Sequence, residues 1–343
     1  MFSTPADMFS SPTECEEIRV YFDKGANILS IIAIHSTKLG PAIGGCRYLN
    51  YSSFQEALND AEKLAKSMSY KAALANVDFG GGKSVIIKQP SNQDPKQTFK
   101  KFGMFVDSLK GRYVTAIDSG TTTSHMKIIS KSTPFVAGIK GINPSYFTAL
   151  GVFRAMCAAV KHKFGATSLR GIRIAIQGAG NVGYFLSHLL YQDKASIYIA
   201  DTDASKSLKI AQDFSAHIIS PKEVISLPCE IFSPCALGGE INKTSVSLLK
   251  ANIIAGAANN QLENEEIAEI LAEKEILYCP DYLINSGGLI YVANLYKGEN
   301  IKNVKNKVYQ LHDAVSDILK ISQIKKQTPL RISNNLVEKK LRK

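Results

Sequence analysis

Residues 172–183 read Ile-Arg-Ile-Ala-Ile-Gln-Gly-Ala-Gly-Asn-Val-Gly. The apolar alternation predicts a buried strand that runs directly into a glycine turn, and a helix follows over Tyr184–Tyr191. A second strand, Ser196–Ala200, then ends at Asp201. This order of strand, turn, helix and strand, with an acid about twenty residues after the glycines, is typical of a dinucleotide-binding unit.

The glycine turn has a physical role in such a unit. Its glycines let a pyrophosphate approach the backbone, where the amide donors and dipole of the helix N-terminus favour an anion. Asp201 would accept both ribose hydroxyls of NAD and repel a 2′-phosphate. We therefore predict NAD as the cofactor, although Asp203 and Lys206 leave the choice between NAD and NADP open.

Further strands continue the predicted sheet after Asp201. They cover Cys229–Phe232, Ile253–Ala255 and Leu277–Tyr278, and each is followed by a polar or glycine-containing loop. Loops at the carboxyl edge of a doubly wound sheet form its ligand cleft, so Asn259 and Asn260 are expected there. The predicted class is α/β, with two domains, a Rossmann domain in the second half of the chain and a ligand cleft at the carboxyl edge of its sheet.

The first half of the chain carries a lysine-rich motif. Residues 70–83 read Tyr-Lys-Ala-Ala-Leu-Ala-Asn-Val-Asp-Phe-Gly-Gly-Gly-Lys. Burial lowers the pKa of a lysine, and a lysine treated in this way can act as a general base near neutral pH. From the residues alone, Lys71 on the surface and a tight turn over residues 80–83 remain an alternative. A phosphate-binding P-loop is excluded, because Val77 stands where that motif needs glycine.

The elements around this motif follow from local patterns. A helix capped by Ser53 ends before Lys71, and the strand Tyr113–Ile117 ends on Asp118, which is well placed for chemistry but equally for a turn. The other predicted elements are the strand Ile28–His35, a loop over residues 40–45, a strand over Ser84–Lys88, a helix over Phe99–Leu109 and a helix over Thr148–Phe164.

Composition limits the function classes. The 343 residues are 45% hydrophobic and 21% charged, as in a soluble globular protein, and the net charge is +11. Residues 297–343 hold most of this excess, beside apolar residues at helical spacing. We interpret this segment as an amphipathic helix with a solvated basic face, so we expect no nucleic-acid partner. The apolar positions are Val304, Val308, Leu311, Val315 and Ile318.

The remaining signals predict a cytoplasmic protein. The six cysteines form no Cys-x-x-Cys pair, which indicates reduced thiols rather than a disulfide framework, and we expect no metal. Residues 1–12 lack the basic and apolar regions of a signal peptide. No apolar run is long enough to span a membrane.

Eight ordered motifs between Ile28 and Leu295 resemble the glutamate/leucine/phenylalanine/valine dehydrogenase family, and most of all its leucine branch. They are Gly-Pro-Ala-Ile-Gly-Gly (40–45), Ser-Met-Ser-Tyr-Lys (67–71), Gly-Gly-Gly-Lys (80–83), Asp-Ser-Gly-Thr-Thr (118–122), Gly-Ala-Gly-Asn-Val-Gly (178–183), Pro-Cys-Ala-Leu-Gly (234–238), Ala-Asn-Asn-Gln-Leu (258–262) and Pro-Asp-Tyr-Leu-Ile-Asn-Ser-Gly-Gly (280–288).

The resemblance implies roles for single residues. Lys83 would be the general base that activates water, and Asp118 would carry protons to and from the amino group. Lys71 would bind the substrate carboxylate. The other implied substrate-binding residues are Gly44, Met68, Asn260, Ile43, Ala116, Leu289 and Val292. The implied cofactor-binding residues are Gly178, Ala179, Gly180, Asn181, Val182, Gly183, Asp201, Cys235, Ala236, Asn259, Asn285 and Thr148.

The resemblance also implies an architecture and an activity. Residues 1–140 would form the substrate and oligomerisation domain, residues 141–299 the Rossmann domain, and residues 300–343 would return to the first. The activity would be oxidative deamination of a small-molecule L-amino acid by a homo-oligomer, a dimer or an octamer. Hydride transfer, imine hydrolysis and proton exchange need the cation, base and acid that the motifs supply.

Some positions depart from the family pattern. Ile117 stands where the leucine branch usually has an acid, and the crossover after Gly138 and the C-terminus look shorter than usual. Ala116 suits an aliphatic side chain, whereas Leu289 is more like the phenylalanine-type enzymes. We expect a branched-chain substrate, with an aromatic amino acid as the alternative. A non-catalytic NAD-binding protein with a basic tail is the third reading.

Overall fold

The computed structural model describes residues 13–89, 95–139 and 141–342. The N-terminal residues 1–12, most of the predicted loop before Phe99 and the predicted domain boundary at Lys140 lie outside these ranges. The chain divides into two compact units. Unit 1 comprises Met1–Ile142, Val292–Glu299 and Lys339–Lys343, and unit 2 comprises Asn143–Tyr291 and Asn300–Glu338.

Unit 1 is built on a five-stranded mixed sheet. Its strands are β1 Glu17–Asp23, β2 Ile28–Ser36, β3 Ala42–Leu49, β4 Gly80–Ile87 and β5 Tyr113–Ile117, and its helices are α1 Phe54–Leu74, α2 Pro95–Ser108 and α3 Thr123–Ile129. The strand order is β1-β2-β4-β3-β5. Strands β3, β4 and β5 are parallel, while β1 and β2 are antiparallel to their neighbours.

Helices cover both faces of this sheet. Alternate residues of β2 explain why, since Ile31 and Ala33 pack under α1 whereas Ile32 and Ile34 pack under α2 and α3. Val85 of β4 packs on the α1 side. Because side chains two residues apart share a face, Lys83 also faces α1.

Three predictions for unit 1 were wrong in their bounds. Residues 40–45 were expected in a loop and residues 80–83 in a turn before a strand at Ser84, but β3 begins at Ala42 and β4 at Gly80. Helix α1 continues to Leu74, so Lys71 lies in its last turn rather than beyond its end. The reason is tertiary packing: a Cβ on Gly81 would lie 2.1 Å from the Ser69 amide nitrogen of α1, so the glycine admits the helix backbone.

The predicted start of α1 is confirmed. Ser53 is the N-cap, and its hydroxyl accepts from the Glu56 amide at 3.1 Å. The Glu56 carboxylate, however, accepts from the Ser52 amide at 2.7 Å rather than from Ser53. Ser53 therefore caps the helix, while the Glu56 side chain accepts from the amide of the residue before the cap, Ser52.

Unit 2 contains a six-stranded parallel sheet in the order β11-β10-β9-β6-β7-β8. Its strands are β6 Arg173–Gln177, β7 Ser196–Ala200, β8 His217–Ile218, β9 Ile231–Pro234, β10 Ile253–Ile254 and β11 Leu277–Tyr278. All five pairings are parallel, which confirms the doubly wound prediction. The loops that follow the strands therefore share one edge of the sheet.

The helices from Pro144 onward are α4 Pro144–Phe164, α5 Asn181–Gln192, α6 Ala204–Phe214, α7 Glu266–Glu273, α8 Asp281–Ile284, α9 Gly287–Tyr296, α10 Ile301–Tyr309, α11 Leu311–Lys325 and α12 Pro329–Arg342. Helices α9 and α12 contribute residues to both units. No helix in the described ranges is long and apolar enough to cross a membrane.

The C-terminal segment differs from its prediction. One amphipathic helix was expected, but residues 301–342 form three. All five predicted apolar positions, from Val304 to Ile318, are buried. Residues 300–338 belong to unit 2, because α10 and α11 lie against α4, and only Lys339–Lys343 return to unit 1.

Candidate active site

Lys83 lies in the middle of β4 and is only 6% exposed. Its ammonium donates a hydrogen bond to Oδ2 of Asp118, the residue that follows β5. Burial lowers the pKa of Lys83, and this outweighs the opposing effect of the Asp118 charge. Lys83 therefore releases a proton more readily than an exposed lysine does.

Gly45 makes room for this contact. It pairs with Ala116 of β5, and Cys46, the next residue, pairs with Ser84 of β4. A Cβ on Gly45 would lie 2.6 Å from the Asp118 Cβ. The missing side chain thus leaves the space in which the Asp118 carboxylate lies between two neighbouring strands.

Arg47 is a further member of this cluster that sequence analysis missed. Its Nε donates to Asp118 Oδ2 at 3.1 Å, and its Nη1 donates to the two oxygens of Asp60 on α1 at 2.9 and 3.1 Å. The Tyr51 hydroxyl donates to Asp60 Oδ2 at 2.7 Å. Alternation along β3 could have indicated Arg47, since it shares the α1 face with Gly45, but only if residues 42–45 had been assigned to a strand.

The charges in this cluster set its protonation. Burial alone would raise the pKa of Asp118, but the positive charges of Lys83 and Arg47 lower it to about 2. Burial would lower the pKa of Arg47, and Asp118 and Asp60 raise it instead. In the described arrangement, Asp118 is therefore a carboxylate held between two cations.

The turn after Asp118 is fixed by its own sequence. The Asp118 amide donates to Thr121 Oγ1 at 2.9 Å, and this hydroxyl donates to the Cys46 carbonyl at 3.0 Å. Gly120 has φ +79°, and a Cβ there would lie 2.0 Å from the Tyr48 carbonyl oxygen. The Asp-Ser-Gly-Thr motif therefore anchors the carboxylate against β3.

Three predicted substrate-binding residues of unit 1 lie on neighbouring elements. Lys71 and Met68 are half-buried on α1, which packs on β4. Gly44 is buried in β3, and its carbonyl accepts from the Tyr113 hydroxyl at 2.9 Å. Lys340, near the end of α12, donates to the Ala73 carbonyl at 2.7 Å and to Asn76 Oδ1 at 2.6 Å, which caps the carboxyl end of α1.

The predicted side-chain pocket residues are divided between the units. Ile43 in β3 is buried and Ala116 in β5 is half-buried. Val292 lies in unit 1, where a Cβ on Gly138 would be 3.8 Å from its methyl groups. Leu289 and Asn260 belong to unit 2, where Leu289 is 9% exposed and Asn260 has φ +51°.

The glycine turn of unit 2 has the geometry of an anion site. Gly178 has φ +110°, and a Cβ on Gly183 would lie 2.1 Å from the Gly178 carbonyl oxygen. A Cβ on Gly180 would meet nothing within 4 Å, and this N-cap residue gives α5 no side-chain cap. The first amides of α5, at Asn181 and Val182, therefore receive no side-chain cap from Gly180.

Asp201 lies at the carboxyl end of β7, next to this turn. Its carboxylate accepts from the Ala179 amide at 2.7 Å and from the Asp203 amide at 2.8 Å. A carboxylate has about four lone-pair sites, so acceptor capacity remains for a ribose.

Asn285 brings a second polar group to the same sheet edge. Its amide nitrogen donates to the Ala257 carbonyl at 3.1 Å and to Asn259 Oδ1 at 2.9 Å. Its buried carbonyl oxygen has no hydrogen-bond partner among the described residues. Cys235 and Ala236 follow β9, and Thr148 lies in the first turns of α4. An acceptor without a partner, an open glycine turn and an acid fit a bound dinucleotide.

Comparisons with known proteins identify a family for this chain. Residues 14–135 match the family model "Glu/Leu/Phe/Val dehydrogenase, dimerisation domain", and residues 199–338 match "Glutamate/Leucine/Phenylalanine/Valine dehydrogenase". A leucine dehydrogenase of Geobacillus stearothermophilus is 42% identical over 90% of this chain and 85% of that protein. A phenylalanine dehydrogenase of Bacillus thermotolerans is 39% identical over 98% of this chain and 90% of that protein. The crystal structure of L-tryptophan dehydrogenase from Nostoc punctiforme superposes with a TM-score of 0.85 at 39% identity, over 98% of this chain and 97% of that one.

Proposed function

Because the chain belongs to the Glu/Leu/Phe/Val dehydrogenase family and is an amino-acid dehydrogenase, we propose that it oxidatively deaminates a neutral, branched-chain L-amino acid with NAD. The products are the 2-oxo acid and ammonia, and the reaction is reversible. The cluster of buried Lys83 with half-buried Asp118 and Arg47 is the observation that carries this proposal. It offers a base and a carboxylate in direct contact.

The roles follow from the chemistry of the bonds. Lys71 pairs with the substrate carboxylate, with Gly44 and Asn260 beside it. When bound, the dinucleotide would supply the hydride acceptor for oxidation of the Cα–N bond to an imine. Lys83, in its neutral form, removes a proton from the water that attacks the imine carbon, and Asp118 transfers protons to and from the nitrogen until ammonia leaves.

Asp201 supports NAD over NADP. Its carboxylate lies at the turn where a ribose would bind, and it would repel a 2′-phosphate. The turn Gly178–Gly183, which includes Asn181 and Val182, would hold the pyrophosphate. Asn285, Asn259, Thr148, Cys235 and Ala236 would surround the nicotinamide.

An aromatic substrate is the second candidate. Ala116 favours an aliphatic side chain, but Leu289 is typical of the phenylalanine-type enzymes, and the relatives include leucine and phenylalanine dehydrogenases of similar identity. Such pocket differences change the activation free energy by about 1–3 kcal/mol. They set a preference rather than an exclusion.

The matched dimerisation-domain model supports a homo-oligomer, a dimer or an octamer. The six free thiols, three of them buried, support a cytoplasmic enzyme.

A panel of the twenty amino acids with NAD and with NADP tests the proposal. We expect NADH formation with leucine, valine or isoleucine, slower turnover of phenylalanine, and weaker activity with NADP. Fastest turnover of an aromatic amino acid would select the second candidate. No turnover of any amino acid with either cofactor would refute the proposed function.

A further inference from the structure

We propose that Arg47 and Asp60 form a positioning pair that fixes the Asp118 carboxylate against Lys83 and sets the charge balance at this base. The proposal rests on the proposed function. Neither residue is expected to touch substrate, so both act through Asp118 and Lys83.

The contacts form one continuous chain. Asp118 Oδ2 accepts from both Lys83 Nζ and Arg47 Nε, so a single oxygen is held from two directions. Arg47 Nη1 is itself held by both oxygens of Asp60, and the Tyr51 hydroxyl donates to Asp60 at 2.7 Å. Asp118 thus lies at the end of a chain that starts on α1 and crosses β3.

The guanidinium geometry makes this arrangement directional. Arginine presents several donors in a rigid plane, so its contact with Asp60 orients the Nε that holds Asp118. Its side chain is 23% exposed, and those of Asp60 and Asp118 are 25% and 21% exposed. Limited solvent access preserves the strength of these charge interactions, unlike those of an exposed pair.

The cluster also balances charge around Lys83. The charged groups that act on Lys83 are Asp118 after β5, Arg47 on β3 and Asp60 on α1. The Tyr113 hydroxyl donates to the Gly44 carbonyl and to Ser84 Oγ, and the Tyr51 hydroxyl donates to Asp60. Arg47 lowers the pKa of Lys83, whereas Asp60 raises it. Removing these two charges should therefore move the titration of Lys83 in opposite directions.

The test is the pH dependence of kcat in Arg47→Met and Asp60→Asn. Activity rises with pH as Lys83 loses its proton. Arg47→Met removes a repelling charge, so its ascending limb should move to higher pH by about half a unit or more. Asp60→Asn removes an attracting charge, so its limb should move to lower pH. Substrate ionisation is the same in every variant, so shifts between variants report on the enzyme.

Three measurements separate positioning from a purely structural role. Arg47→Lys keeps the positive charge but loses the planar set of guanidinium donors. The ascending limb of its pH profile should therefore stay near the wild-type pH while kcat falls. Arg173→Met is the matched control. It removes an arginine–carboxylate pair of unit 2, in which Arg173 Nη2 lies 2.6 Å from Glu230 Oε1, and it should leave the pH dependence of kcat unchanged. Fluorescence titration with NADH and circular dichroism verify folding of every variant.

Loss of activity without opposite shifts in Arg47→Met and Asp60→Asn would overturn the positioning pair while leaving the proposed function intact. Inactivity of the wild type on all amino acids would refute the function instead. In that case the positioning pair can still be tested by chemical labelling. Mass spectrometry would measure how acetylation of Lys83 by trace acetic anhydride depends on pH in each variant. Opposite shifts in the two variants would support the positioning pair, and parallel or absent shifts would refute it.

Discussion

Glycines concentrate in both units, but they serve different purposes. In unit 2, Gly178 adopts φ +110° and Gly180 faces open space, so glycine supplies an unusual turn and access for a ligand. In unit 1, Gly45 and Gly81 lie inside strands without a positive φ, and an added Cβ would lie 2.6 Å or less from neighbouring atoms. There glycine supplies space for a carboxylate and a helix.

The difference indicates that the two units have different roles. Open glycines mark the place where a ligand comes to the backbone. Filled glycines mark the place where the protein brings its own groups together, here Lys83, Asp118 and Arg47. Substitutions in unit 1 should therefore damage catalysis, and substitutions in unit 2 should damage cofactor binding.

The largest expected effect is that of Lys83→Ala. Loss of the base should reduce kcat by about 10²–10⁴-fold, the usual contribution of general acid–base catalysis. NADH affinity, measured by fluorescence titration, should stay unchanged. Lys88→Ala, an exposed lysine just after the same strand, is the control and should retain activity. Equal activity of Lys83→Ala and Lys88→Ala would contradict the proposal that Lys83 of unit 1 is the general base.

Gly45→Ala should have the next largest effect. The new methyl group would lie 2.6 Å from the Asp118 Cβ and displace the carboxylate, and a misplacement of about 1 Å can cost about 10²-fold in rate. Steady-state kinetics should show the loss in kcat.

Gly180→Ala is the counterpart in unit 2. Its φ of −71° suits alanine and its surroundings are open. We expect normal stability and kcat but a KM for NAD raised by about tenfold, because the methyl group occupies the approach to the helix N-terminus. Reversal of the two outcomes would contradict the distinction between filled and open glycines.

Acid stability should sharpen the comparison further. The pKa of Asp118 is lowered to about 2, below the ordinary value of an aspartate, so its ion pairs stabilise the fold above about pH 4 and lose that contribution as the pH falls towards 2. This corresponds to about 2 kcal/mol. Urea unfolding at pH 5 and at pH 2.5 should show a smaller loss in Asp118→Asn than in the wild type. Asp213→Asn, an exposed pair partner in unit 2, should behave more like the wild type.

The smallest expected effect concerns cofactor choice. Asp201→Ser removes the charge that would repel a 2′-phosphate, so the ratio of kcat/KM for NADP to that for NAD should rise by about tenfold, or about 1.4 kcal/mol. Activity measured with saturating amino acid and each cofactor checks this. An unchanged ratio would show that Asp201 serves only the Ala179 and Asp203 amides.

The fold of unit 2 could be predicted because its signals are local. The strand before Gly178, the glycines and Asp201 lie within one βαβ segment, and β7 has the predicted bounds. In unit 1 the deciding contacts are distant in sequence. Gly81 fits a strand only because α1 packs on it, and propensity alone disfavours glycine there.

Candidate residues were predictable only where a motif carried them. Lys83 and Asp118 stand in recognisable motifs, whereas the link between Arg47 and Asp118 spans 71 positions. The C-terminal apolar positions were correctly expected to be buried. Amphipathicity does not identify the surface that a helix covers, so their attachment to unit 2 could not be deduced.

The ammonium of Lys340 connects the last turn of α12 to the carboxyl end of α1, the helix that bears Lys71. Trimming by a carboxypeptidase past this residue would remove the cap while leaving every motif of the sequence in place. A preparation shortened in this way would keep its affinity for the nucleotide but bind the amino-acid substrate more weakly. Intact mass should therefore be verified before weak substrate binding is attributed to the pocket.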